Sequence, residues 1–176
     1  GKYVCIFDWK VAHLLTGERY EREIENTERQ ALDMLTGSDL GGREFVKKLM
    51  EALVLSGTAI QQFGNTRPAS GSEHHLSHFW EMHCVNPPTD ALHGEQVGVA
   101  TLILLDLYRG TEHLTLTKKP LSDEYLRPVY GDLTPGIIKE NIPFLPDTIT
   151  QKKLDENWET IRNLALTELP EPEKVA

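Results

Sequence analysis

Cysteine is scarce in this chain. Cys5 and Cys84 are the only two among 176 residues, which excludes the disulfide framework of a small secreted domain and fits idle thiols in a reducing compartment. Long apolar runs are missing as well. The most apolar stretch, residues 97–108, falls well short of the ~20 residues a bilayer requires and reads as a buried helix. Residues 3–15 are interrupted by Asp8 and Lys10, so they form neither a signal peptide nor a membrane span. Basic side chains are outnumbered: 18 Lys and Arg stand against 27 Asp and Glu, a net charge of -9. Nucleic-acid and anionic-membrane surfaces need clustered Lys and Arg, so both are excluded as partners, and an acidic globule of the cytoplasm is expected. Also absent is any glycine-rich strand-to-helix turn of the dinucleotide-binding kind.

What is present is helical periodicity, nearly throughout. Tyr3, Phe7, Val11 and Leu14 are spaced for one helix face, ended by Thr16-Gly17; Tyr20, Ile24, Thr27, Ala31 and Leu35 repeat the pattern up to Gly37. A third helix is predicted over 43–62, with Phe45, Leu49, Leu53 and Ile60 inward and Lys47, Lys48 and Glu51 outward. Ser70 and Glu73 have the spacing of a capping box, which predicts a helix from Ser70 through about Met82. Another runs over 91–108 and is placed at the centre of the fold. Thr134-Pro135 resembles a helix start, and a last helix over 150–166 buries Leu154, Trp158 and Ile161. Only residues 114–117 alternate like a strand. The expectation is an all-α domain over 1–167, followed by a tail over 168–176 that frays.

Histidine placement is the strongest chemical signal. His74 and His78 sit one turn apart on a common helix face, and His93 opens the next helix with Gly94 and Glu95 behind it. Neutral imidazoles at helix starts suit a divalent metal. Gly71 and Gly94 are read as leaving room beside the site. A metal site of the catalytic type takes three protein ligands, and no carboxylate stands out nearby, so the chain carries most of such a site with one part missing. His75 points to another face, while His13 and His113 are assigned to structure and His83 lacks a spacing argument. Glu73 is read as the capping partner of Ser70, and Glu95 as a favourable charge in a first helical turn. The loop over 65–72, with Arg67 and several hydroxyls, is a candidate oxyanion site.

The segment Arg67-Pro68-Ala69-Ser70-Gly71-Ser72-Glu73-His74, followed by Leu92-His93-Gly94-Glu95-Gln96-Val97-Gly98-Val99-Ala100, resembles the sn-glycerol-1-phosphate dehydrogenases, in particular their bacterial AraM-like branch. Gly1-Lys2-Tyr3 with Asp8-Trp9 resembles that branch too. The wider group holds glycerol dehydrogenases, iron-dependent alcohol dehydrogenases and dehydroquinate synthases. The resemblance implies a two-domain enzyme, of which this chain is the C-terminal helical domain and the nucleotide-binding domain lies outside it.

The same resemblance implies that His74 and His93 ligate a divalent metal (zinc, nickel or iron), with an aspartate upstream of Gly1 as third ligand. It places His78 near the substrate as a catalytic residue. Arg67, Ser70 and Ser72 become candidates for the substrate phosphate. NAD or NADP would be held mainly by the other domain, and its contacts here are unknown. The implied reaction interconverts dihydroxyacetone phosphate and sn-glycerol-1-phosphate by hydride transfer, in an intact homodimer. The fragment alone is expected to be inactive. A glycerol dehydrogenase or dehydroquinate synthase relative, and a non-catalytic helical metal-binding or interaction module, stand as alternatives.

Overall fold

The computed structural model describes residues 1–36, 41–83, 91–110, 151–171 and 174. They form helices α1 (Lys2–Thr16), α2 (Arg22–Asp33), α3 (Gly42–Phe63), α4 (Ser72–His83), α5 (His93–Gly110) and α6 (Gln151–Glu168), with a 3-10 turn at Arg67–Ala69 before α4. Among the described residues there is no strand, and the fold is all-α. No described helix is long and apolar enough to cross a membrane. The expected helix start at Thr134-Pro135, the strand-like residues 114–117, Gly37, Cys84 and His113 lie outside the described residues, as do the side chains of His83 and Leu154.

Helix α1 ends where Gly17 takes φ 73° and its N–H returns to the His13 carbonyl at 2.8 Å, a left-handed cap that a side chain would strain. Its buried residues face two ways. Val4, Phe7 and Leu15 join Leu76, Trp80, Ala100, Leu104, Leu105, Ile161 and Ala165 in the main core, whereas Trp9 enters a second cluster with Ile24, Ala59 and Phe63. Trp9 meets Phe63 edge-on at 4.9 Å and donates its indole N–H to the Arg19 carbonyl at 2.8 Å. α1 packs on α2, α4, α5, α6 and the 3-10 turn. It therefore shares the centre that the sequence assigns to residues 97–108. Asp8 and Lys10 obscure this in the hydropathy, because both are satisfied by partners from other helices.

α3 packs differently from its apolar spacing. Ala52, Ser56, Ala59 and Phe63 are its buried residues, and Leu53, expected inward, is 57 % exposed. Small residues on that stripe allow close approach to α2, which leaves the larger Val46, Met50 and Val54 on the open side. Buried Glu28 fixes the α2–α3 contact, accepting from Ser56 Oγ at 3.2 Å and pairing with Lys2 of α1. At the other end, α6 runs two residues past the predicted stop. Glu168 binds Lys10 and Arg29, and Leu169 is buried, so the head of the tail is pinned to the bundle.

Candidate metal centre

α4 and α5 pack against each other, with His93 at the start of α5 beside Ser77 and Glu81 of α4, and Tyr108 near the end of α5 beside Ser72 at the start of α4. α4 begins at Ser72, one residue later than a helix capped by Ser70 would. Glu73 still reaches back as that motif would have it, but its Oε1 accepts the N–H of Gly71 at 3.0 Å rather than that of Ser70. α5 starts with a cleaner version: Glu95 Oε2 accepts the Leu92 N–H at 2.8 Å. These bonds satisfy backbone donors that a helix start leaves open.

Three imidazoles meet where the start of α5 lies against α4. The ring centroids of His74 and His93 are 5.4 Å apart, those of His78 and His93 5.4 Å, and those of His74 and His78 6.4 Å. His74 Nδ1 lies 2.8 Å from Oε1 of the fully buried Glu73. With Nδ1 turned to this carboxylate, Nε2 is the ring nitrogen left for a ligand. His93 Nδ1 lies 3.4 Å from both Ser77 Oγ and Glu81 Oε1. Ligand atoms of His78, Glu81 and His93 all fall within 4.8 Å of one another. Glu81 is the residue that the sequence reading missed. Its signal was available, since it follows His78 by three residues on the same helix face.

Below the histidines lies a second polar group. Asp8 of α1 accepts from the Ser72 N–H at 2.7 Å and Ser72 Oγ at 2.6 Å through one oxygen, and from the Tyr108 hydroxyl at 2.9 Å through the other. Burial pushes the Asp8 carboxyl up to about 6, against the opposing pull of those hydrogen bonds. Burial and the nearby Asp8 charge push the Tyr108 hydroxyl well above its ordinary range. Oε2 of Glu73 is buried with no hydrogen-bond partner among the described residues. A Cβ on Gly71 would lie 2.6 Å from Asp8 Oδ2, 2.8 Å from Glu73 Oε2 and 2.9 Å from the Cys5 Cα, so glycine is required there. Gly94 meets nothing within 4 Å among the described residues, contrary to the crowding expected of it.

The candidate phosphate residues are otherwise engaged. Arg67 Nε donates to Glu18 at 2.6 Å and its Nη2 to the Asp8 carbonyl at 3.3 Å, while Ser72 Oγ serves Asp8 and Tyr108. Ser70, half-buried, lies in extended backbone between the 3-10 turn and α4. His75 lies on the outer side of α4; partial desolvation of its ring, and then the Arg67 charge, lower its pKa. His13 sits at the far end of α1, bonded to the Glu18 carbonyl and stacked on Tyr20. Cys5 is buried, and burial pushes its thiol up to about 12, which makes it inert.

No family model matches the chain. It is similar to curated proteins, 34 % identical over 168 residues to the NAD(P)-dependent glycerol-1-phosphate dehydrogenase of Bacillus licheniformis, covering 92 % of this chain and 42 % of the relative. The corresponding protein of Geobacillus stearothermophilus is 34 % identical, covering 99 % of this chain and 39 % of the relative. That of Methanothermobacter thermautotrophicus is 39 % identical over 114 residues, or 62 % of this chain and 32 % of the relative. The chain thus spans about two fifths of the length of the first of these relatives. With the helical architecture and the R-P-A-S-G-S-E-H and H-G-E segments at its centre, it belongs to the glycerol-1-phosphate dehydrogenase family.

Proposed function

We propose that residues 1–167 are the metal- and substrate-binding domain of an NAD(P)-linked glycerol-1-phosphate dehydrogenase, which interconverts dihydroxyacetone phosphate and sn-glycerol-1-phosphate. The observation that carries the reading is the meeting of three imidazoles from α4 and the start of α5, one of them held by a buried carboxylate. Imidazole nitrogens on an oriented ring suit zinc, nickel or iron. His74 and His93 would hold the ion, and an aspartate from the part of the relatives beyond this chain would complete the shell. The start of α1 supports that completion: a Cβ at Gly1 would lie 3.8 Å from Glu73 Cγ, one residue from His74. Gly1, at the head of α1, thus lies beside the turn that carries His74.

A divalent ion held by His74 and His93 would supply Lewis-acid chemistry at the substrate carbonyl. The chain's own residues do the rest. Glu73 fixes the His74 ring, and His78, exposed on the same face, orients the substrate hydroxyl and relays its proton. Arg67 and Ser70 would meet the phosphate, with phosphate oxygens displacing Glu18 from the guanidinium; Ser72 would support the turn from below. The nucleotide would sit on a second domain, in a cytoplasmic homodimer.

The test uses the full-length enzyme that contains this chain. His74→Ala should abolish turnover together with bound metal, while His78→Ala should keep the metal and slow turnover by about 10²–10⁴-fold. The reverse pattern, metal lost from the His78 variant and kept in the His74 variant, would overturn the assignment. Reduction of dihydroxyacetone phosphate by NAD(P)H, against oxidation of free glycerol, separates the proposed substrate from that of a glycerol dehydrogenase.

A further inference from the structure

We propose that Asp8 is a positioning residue for the substrate phosphate, holding the turn of residues 67–72 against α1 so that Arg67 and Ser70 meet the phosphate at a set distance from the metal ligands. The inference rests on the reading of the chain as part of a glycerol-1-phosphate dehydrogenase, and adds to it a residue that acts only through others. Bonds from three other elements converge on Asp8. One carboxylate oxygen accepts the Ser72 N–H at 2.7 Å and Ser72 Oγ at 2.6 Å, and the other accepts the Tyr108 hydroxyl of α5 at 2.9 Å. Its main-chain carbonyl accepts Arg67 Nη2 at 3.3 Å. Asp8 therefore grips the turn at both ends. Between them Cys5, three residues earlier on the same face of α1, donates its thiol to the Pro68 carbonyl at 3.4 Å.

The Ser72 N–H is one of the donors that a helix start leaves open, and a carboxylate from another helix fills it. Removing that carboxylate leaves the donor unmet and frees the turn to shift on α1. A misplacement of about 1 Å in a group that positions substrate costs up to about 10²-fold. The loss should fall on binding, because a phosphate remote from the reacting carbonyl is held alike in the ground state and the transition state. The metal ligands are spared, since His74 keeps its bond to Glu73 and His93 keeps its place against Ser77 and Glu81.

The experiment uses the full-length enzyme and compares NAD(P)H-driven reduction of dihydroxyacetone phosphate with that of dihydroxyacetone, which lacks the phosphate. Asp8→Ala should raise KM for the phosphate ester about tenfold or more, with kcat and bound metal changed less than about threefold. The ratio of kcat/KM between the two substrates should fall by the same factor. Asp8→Asn should recover most of the loss, because its amide oxygen still accepts from Ser72. Tyr108→Phe removes a single hydroxyl and should raise KM about threefold; it and Asp8→Asn decide the matter if Asp8→Ala does not fold. Asp106→Asn, exposed on α5, is the charge control and should leave every value as it is. A merely structural Asp8 would lower kcat for both substrates alike and leave KM unchanged; that pattern, or loss of metal, overturns the inference. If the native enzyme prefers the phosphate ester and the Asp8 and Tyr108 variants prefer it equally, the inference alone fails. If the native enzyme does not distinguish the two substrates, the dehydrogenase reading falls and the inference with it.

Discussion

Gly71 and Asp8 show how closely single residues govern the start of α4. A methyl at position 71 would meet the Cys5 backbone at 2.9 Å, and backbone cannot swing away as a side chain can. Gly71→Ala should therefore destabilise the chain by about 1–3 kcal/mol in urea titration. Gly94→Ala, in open space on a helix, should be neutral or stabilising by up to about 1 kcal/mol. Equal losses from both would show the crowding at Gly71 to be unimportant. Asp8 makes a pH prediction. Its carboxyl is held near 6 when folded, against 3.8 as its ordinary value. Between these values the folded state binds more protons than the unfolded one, so this residue's contribution to stability falls as pH rises from about 4 to about 6. The stability difference between the native chain and Asp8→Asn should drift by up to about 3 kcal/mol across that window, one unit being worth about 1.4 kcal/mol. A flat difference would mean that Asp8 titrates normally.

Helix ends and faces differ in how much of them the sequence reveals. The stops of α1 and α3 are legible because Gly17 and Gly64 adopt φ 73° and 90°, which glycine alone reaches without strain. The inward face of α3 is not legible. Counting large apolar residues selects Leu53, but helix pairs also close on small residues, and Ala52, Ser56 and Ala59 take the contact. The junction of α1, α2 and α6 is hidden for a different reason: its residues are charged. Burial would raise the Glu25 carboxyl, and hydrogen bonds from Lys10, Tyr20 and Arg29 outweigh it and hold the pKa below the ordinary value of 4.5. Lys10 bridges Glu25 at 2.9 Å and Glu168 at 2.5 Å, which ties the end of α6 to α1 and α2. A depressed carboxyl contributes stability above its unfolded pKa and loses it as pH falls through the folded one. Glu25→Gln should cost about 1 kcal/mol near neutral pH and less in acid, while removing the exposed Lys152–Glu156 pair should cost no more than about 0.5 kcal/mol. Thermal melts of the two variants check the contrast, and equal effects would refute the clamp.

At the scale of the whole molecule, the candidate centre was half legible. His74, His78 and His93 are visible because their spacing and helix-start positions are unusual for surface histidines. Glu81 was passed over because carboxylates on α4 look like ordinary solvated charge until α5 is folded against them. That Arg67 faces Glu18 and Ser72 faces Asp8 depends on how α1 crosses the turn before α4, through contacts between residues 49 and 64 positions apart. The reading of the chain as one part of a larger enzyme makes a last, two-sided prediction. A ligand that binds only the folded state raises its stability by about 2.7 kcal/mol at a hundredfold excess over the dissociation constant. For a chain of this size that is roughly a 5–10 °C rise in melting temperature. Zinc or cobalt(II) should produce such a rise in the 176-residue chain, and a chelator should reverse it. NADH should produce none, because no glycine-rich phosphate turn exists in the sequence to receive a dinucleotide. Hydride transfer by the chain alone, or a melting temperature that follows NADH and ignores the metals, would place the nucleotide site in these helices and overturn the division of labour between the two parts.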